Sequence, residues 1–218
     1  MPLLKRLTFL LLLVFSTAFV TDKPNILIVG DSISIGYTPF VKERLAEKAN
    51  VFHNEGNAQH TGTGLQKIAE WVGNEDWQIV QFNWGLWDLA HRHPDATVYG
   101  NRDKINGKVT FTVDEYASNL DSLVTTLKTL TDAKLIFVTT SYVPEGEAGR
   151  FVEDAVRYNA AAKKIMEKHG VLVNDIYERS KEIHSKHNRA SNDVHYTEAG
   201  SEKLGELIAD FLEKEMRE

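Results

Sequence analysis

The chain has 218 residues of ordinary globular composition, enough to bury one sizeable core in a single domain. A formal charge of -6, with no basic cluster after the first few residues, argues against a nucleic-acid backbone as partner. No cysteine is present, so disulfides, thiolate metal sites and cysteine nucleophiles are excluded together.

The chain opens with Lys5 and Arg6, an apolar run from Leu7 to Phe15, and then "STA". This is the layout of a secretory signal, and the run is too short for a comfortable spanning helix. Residues 1–18 are therefore expected to be a cleaved leader. Residues 24–215 are expected to form one periplasmic or secreted domain with no stable membrane association after cleavage.

Strand-like runs follow at "NILIV" (25–29), "NVFHN" (50–54), "QIVQFN" (78–83), "KLIFVTT" (134–140) and "GVLV" (170–173). Most are continuously apolar rather than alternating, which marks strands covered on both faces and hence a mostly parallel sheet. Helical segments separate them. Thr38-Pro39 reads as the cap and first turn of a helix toward Ala49, Thr112 with Glu115 as a capping box, and Thr197-Glu198 as the start of the last helix. The repeated β-α order predicts a three-layer α/β/α sandwich with about five strands. One segment, His91 to Val113, breaks the alternation, and its Asn106-Gly107 predicts a small hairpin or ordered insertion.

Ligands of open parallel sheets bind beyond the carboxyl ends of the strands, so the polar residues that follow each run come first as candidates. Ser32 follows the first run, and a serine hydroxyl needs a base to become nucleophilic. His195, in the loop before the last helix, is the best candidate. Taken singly, each has a plainer reading: Ser32 as a turn residue, His195 as a surface histidine. "HRH" (His91, His93) and "HSKH" (His184, His187) lack an obvious third ligand and read as surface histidines, so no metal is expected.

Taken together, "GDS" at 30–32, the "NEGNAQHT" loop at 54–61, "GLWD" at 85–88 and "NDVHYT" at 192–197 resemble the four sequence blocks of the SGNH or GDSL hydrolase superfamily. The resemblance implies that family's flavodoxin-like sandwich, Ser32 as nucleophile, His195 as base and the Ser32 N–H as one oxyanion donor, with no cofactor. Three positions depart from the pattern. Gln59 stands where a second oxyanion glycine is usual, leaving a backbone N–H if its angles suit. Trp87 replaces the oxyanion asparagine, so the indole N–H or the amide of Asn83 becomes the substitute donor. Asn192 stands where the histidine-orienting aspartate is expected, with Asp193 one residue nearer; alignment favours Asn192. His60, beside the oxyanion loop, and Tyr142, after the fourth run, are expected to contact substrate.

The implied activity is a serine esterase acting on a small-molecule or glycan ester, such as a carbohydrate O-acetyl group. Two other readings compete. The losses at Trp87 and Asn192 suit a catalytically weakened relative that binds a glycan or acyl ligand, and "GDSISIGYT" suits a phosphate-cradling loop of a flavin or nucleotide protein.

Overall fold

The computed structural model describes residues 23–217, so the expected leader lies outside the described residues. Five parallel strands, β1 (Asn25–Val29), β2 (Asn50–His53), β3 (Ile79–Phe82), β6 (Lys134–Val138) and β7 (Leu172–Asn174), form a sheet of order β2-β1-β3-β6-β7. Residues Ile26–Val29 of β1, all of β3 and Leu135–Val138 of β6 are buried, while the edge strands β2 and β7 are partly exposed. The continuous apolar runs are thus the central strands, as burial on both faces requires.

Helices α1 (Ser32–Leu45), α5 (Tyr177–His187) and α6 (Glu198–Glu215) pack together in one group, α2 (Thr61–Val72), α3 (Val113–Leu130) and α4 (Val152–His169) in another. The chain is therefore a mostly parallel α/β/α sandwich. The capping box at Thr112 and Glu115 and the cap at Thr197 form as the sequence predicts.

The first helix starts six residues before the Thr38 cap expected from the sequence. Asp31 caps it, and Thr38 and Pro39 lie inside it. Thr38 Oγ1 donates to the Ser34 carbonyl at 2.6 Å instead of capping. Pro39 brings no N–H to the Ile35 carbonyl, but both residues are exposed, so water can serve that acceptor. The consequence is that Ser32 sits at the first helical position rather than in a preceding loop.

The segment at 91–113 is an ordered insertion. A short antiparallel pair, β4 (His91–Arg92) and β5 (Lys108–Val109), closes it. The Asp103 carboxylate accepts the Ile105 and Asn106 N–H groups, and the Gly107 N–H returns to the Asp103 carbonyl at 3.0 Å. An Asx turn at Asp103, rather than a two-residue Asn-Gly hairpin, therefore makes the bend.

Beyond β3 the backbone runs tightly against the segment after β6. Gly85 has φ 154°, and a Cβ there would lie 1.8 Å from Thr140 Oγ1. That close approach lets Thr140 Oγ1 donate to the Trp84 carbonyl at 3.2 Å and carries residues 86–88 to the carboxyl edge of the sheet. Gly85→Ala is expected to lower unfolding free energy by at least about 3 kcal/mol, combining backbone strain with the clash. A urea denaturation midpoint within error of wild type would show that this approach is not tight.

Candidate active site

Asp31 builds the start of α1. Its Oδ1 accepts the Ile33 N–H at 2.9 Å and its carbonyl accepts the Ile35 N–H at 3.0 Å. The first N–H groups of a helix have no intrahelical acceptor, so the Ser32 N–H is available beside its own hydroxyl.

His195 comes from the other end of the chain. Its Nε2 lies 2.9 Å from Ser32 Oγ, and its Nδ1 lies 2.6 Å from Asp193 Oδ1. Burial works to raise the Asp193 pKa, but hydrogen bonds from the His195 ring and backbone N–H, with the imidazole's charge and that of Arg189, hold it below the ordinary aspartate value. An ionised carboxylate only accepts, so Nδ1 carries the imidazole proton and Nε2 is left to accept from Ser32 Oγ–H. Asn192, favoured by alignment, is exposed and makes no bond to the imidazole; Asp193 occupies that place. The cause is alternation. Val194 and Tyr196 turn into the core, so Asp193 and His195 share the opposite side. That pattern of apolar 194 and 196 against polar 193 and 195 was a sequence signal for Asp193.

His184 fixes this loop from below. It is 3% exposed, packed against the Tyr142 and Tyr196 rings, and its Nε2 donates to the Asp193 carbonyl at 2.7 Å. It is a core histidine, not the surface one expected. A second serine-histidine contact, Ser34 Oγ to His53 Nε2 at 2.7 Å, lies two residues beyond Ser32. Ser34 is 2% exposed and its hydroxyl also bonds the Asp31 carbonyl, so that pair braces the helix start.

The oxyanion candidates separate clearly. Gln59 takes a left-handed φ of 51°, and its N–H donates to Asn57 Oδ1 at 2.8 Å. Its donor is therefore already engaged. That bond also fixes the Asn57 amide, whose Nδ2 remains to donate, and Asn57 lines the pocket at Ser32. The Asn83 amide is spent on the Val138 carbonyl at 2.7 Å and does not line that pocket. Trp87 does line it, with the Arg92 guanidinium 4.7 Å from its ring centre. Asn57 went unnoticed in the sequence because its place beside Ser32 depends on the turn at Gln59.

The two expected substrate contacts lie outside this pocket. His60 caps α2, accepting the Thr63 N–H at 3.2 Å, and stands edge-on to Phe111. Tyr142 packs on Tyr177 and His184 under Lys181. The pocket itself encloses about 380 Å³. Its walls include Leu86, Tyr99 of the insertion and four arginines, Arg92, Arg102, Arg150 and Arg189, which nothing in the chain order groups together. Among the described residues no three His, Asp or Glu side chains cluster as a metal site would, and no helix is long and apolar enough to cross a membrane.

A parallel α/β/α sandwich with serine, histidine and aspartate hydrogen-bonded in series at its carboxyl edge defines a class of hydrolase. The sequence matches the profile of the GDSL-like lipase/acylhydrolase family over residues 28–203, so the chain belongs to that family and is a carboxylic ester hydrolase. Similar solved structures include a lipase/acylhydrolase from Enterococcus faecalis, 20% identical with TM-score 0.69, covering 88% of this chain and 96% of that one. An acetylxylan esterase from Geobacillus stearothermophilus is 19% identical with TM-score 0.66, covering 86% of this chain and 93% of its own. Another acetyl xylan esterase is 13% identical with TM-score 0.67, over 86% and 98%. At these identities the likeness concerns the fold. No curated protein matches the chain in sequence.

Asp88, the last residue of "GLWD", ties the loop after β3 to α2. Its Oδ1 accepts from the Thr61 N–H at 2.9 Å and the Thr61 hydroxyl at 2.5 Å, while Oδ2 is buried without a partner. Burial outweighs those bonds and pushes its pKa up to about 7. A carboxyl raised above its unfolded value stabilises the fold only while protonated. Its contribution is full below about pH 4 and is lost as pH rises to about 7, on the order of 4 kcal/mol. In Asp88→Asn this loss is expected to vanish, so melting temperatures measured from pH 4 to 8 should shift steadily in the variant's favour. Parallel curves would show that Asp88 titrates as an ordinary carboxyl.

Proposed function

We propose that the protein is a serine esterase that removes a small acyl group, such as an O-acetyl group on carbohydrate, through an acyl-Ser32 intermediate. The observation that carries this reading is the Ser32-His195-Asp193 series, with contacts of 2.9 and 2.6 Å. Ser32 Oγ attacks the ester carbonyl while its proton passes to His195 Nε2. Asp193 holds the ring and stabilises the imidazolium. The tetrahedral oxyanion is held by the Ser32 N–H with Asn57 Nδ2 and the Trp87 indole N–H as the side-chain donors. Collapse expels the alcohol, protonated from Nε2, and a water activated by the same nitrogen then frees the acid.

The acetyl group is suggested by the acetyl xylan esterases that share the fold. Export to the periplasm or medium is part of this proposal, on the strength of the basic, apolar and small-residue order of residues 1–18. A binding-only relative finds less support, since a protein without chemistry has no use for a serine held 2.9 Å from an oriented imidazole.

Hydrolysis of p-nitrophenyl acetate by the mature chain is the direct test. Ser32→Ala is expected to abolish turnover, and Asp193→Asn to lower kcat by about a hundredfold or more, while Asn192→Ala stays within about twofold of wild type. Equal rates for wild type and Ser32→Ala would sink the esterase reading. For the oxyanion, Asn57→Ala is expected to reduce kcat by about a hundredfold with little change in KM. A change confined to KM would make Asn57 a substrate contact instead.

A further inference from the structure

Four of the nine arginines in this acidic chain line the one pocket that holds Ser32 and His195, and no lysine joins them. They arrive from separate segments: Arg92 and Arg102 from the insertion, Arg150 from the approach to α4 and Arg189 from the loop after α5. Three are held rigidly. Arg92 donates through Nε to Thr110 Oγ1 at 3.3 Å and through Nη1 to the Gly100 carbonyl. Arg102 donates through Nε to the Tyr99 carbonyl at 3.0 Å and through Nη1 to Glu147. Arg150, 4% exposed, donates through Nε to the Leu86 carbonyl at 2.6 Å and through Nη1 to Glu147 Oε1 at 2.8 Å. In each case Nη2 has no hydrogen-bond partner among the described residues. Arg189 is exposed, and its guanidinium makes no hydrogen bond or ion pair among them.

Three carboxylates stand near these four cations, and none cancels them fully. Glu147, fully buried, is shared between Arg102 and Arg150. Asp193 is committed to His195. Asp31 is pushed toward its neutral form by burial, against the Ile33 N–H and the charges of Arg150 and His195. The pocket is therefore positive in a protein whose formal charge is -6. Planar guanidinium groups with fixed donors match a carboxylate better than lysines would, and three of them are already ordered.

Resting on the esterase reading above, we propose that the ester this pocket takes is an anionic one, with a carboxylate on its alcohol or acyl part held by the arginines while Ser32 meets the ester carbonyl. A uronic acid bearing an O-acyl group supplies the first arrangement, a half-ester of a dicarboxylic acid the second. Both fit a cavity of about 380 Å³.

Binding to the full mature chain carrying Ser32→Ala, measured by calorimetry, tests this without turnover. Two matched pairs serve as probes: O-acetylgalacturonic acid against O-acetylgalactose, and the mono-p-nitrophenyl ester of succinic acid against p-nitrophenyl butyrate. The carboxylate member of one pair is expected to bind at least about tenfold tighter, the pair identifying which side carries the acid. Adding Arg189→Gln, a change at an exposed side chain with no structural bond, is expected to cut that preference by about fivefold or more, as is raising the ionic strength. Equal affinities within both pairs overturn the proposal, and so does a preference that survives both Arg189→Gln and Arg92→Gln. Failure of wild type to cleave p-nitrophenyl acetate would count against the esterase reading alone, because the binding comparison stands without it.

Discussion

The site depends on one contact made across 163 residues, Ser32 to His195, and that contact depends on how α1 meets α6. Ser32 begins α1 and His195 lies three residues before α6, so the crossing of these two helices sets the distance between hydroxyl and imidazole. They approach closely because small residues line the seam. A Cβ on Gly205 would stand 2.8 Å from the Phe40 Cβ and 3.1 Å from the Tyr37 carbonyl. Leu204 and Ile208 of α6 and Tyr37 and Val41 of α1 are buried beside it, each contributing roughly 1.5–3 kcal/mol by leaving water. Hydrophobic packing far from the chemistry thus holds a polar contact that has little stability of its own. Ser32 and His195 are consequently set beside each other by the packing of two helices, with His195 in the loop that leads into α6.

Around that contact each buried carboxyl is given a hydrogen-bond or ion-pair partner. Thr61 at the head of α2 serves Asp88, Ile33 in the first turn of α1 serves Asp31, and Arg102 and Arg150 serve Glu147. The Thr61–Asp88 and Arg102–Glu147 contacts also carry structure, because each ties together segments distant in sequence. Among the described residues the unsatisfied buried carboxyl oxygens, Oδ2 of Asp31 and of Asp88, lie on the two groups that burial drives toward protonation. Protonation is the cheapest response to a missing partner in a dry interior.

The sheet was legible because its central strands are covered on both faces, which writes unbroken apolar runs such as "NILIV" and "KLIFV" into the chain. The candidacy of Ser32 and His195 came from recognisable blocks near the end of β1 and before α6, and the structure brings the two to 2.9 Å. What failed to read out was set by single-residue geometry. Thr38-Pro39 looks like a helix start, and only the Asp31 carboxylate, seven residues earlier, overrides it. Asn192 aligns with the expected aspartate, but burial of Val194 and Tyr196 selects Asp193. The arginines were invisible as a group, since positions 92, 102, 150 and 189 meet only when the insertion folds back over the site.

That meeting shows a division of labour. Ser32 stands at the start of α1 and His195 just before α6, whereas Arg92, Tyr99 and Arg102 belong to a segment inserted between β3 and α3. Clustering guanidinium groups costs free energy through repulsion, and the structure limits that cost in three ways. Glu147 lies between two of them and offsets one charge, Arg92 lies over the electron-rich face of Trp87, and Arg189 stays in solvent, where its charge is screened. None of these devices serves the Ser32-His195 contact, which needs only α1, α6 and Asp193. Four cations gathered where the Ser32-His195-Asp193 series needs none are the basis of the proposal that this pocket recognises an anionic ester. On that proposal the insertion, which brings Arg92, Arg102 and Tyr99 to the pocket, is the element that would make an ester-cleaving edge selective.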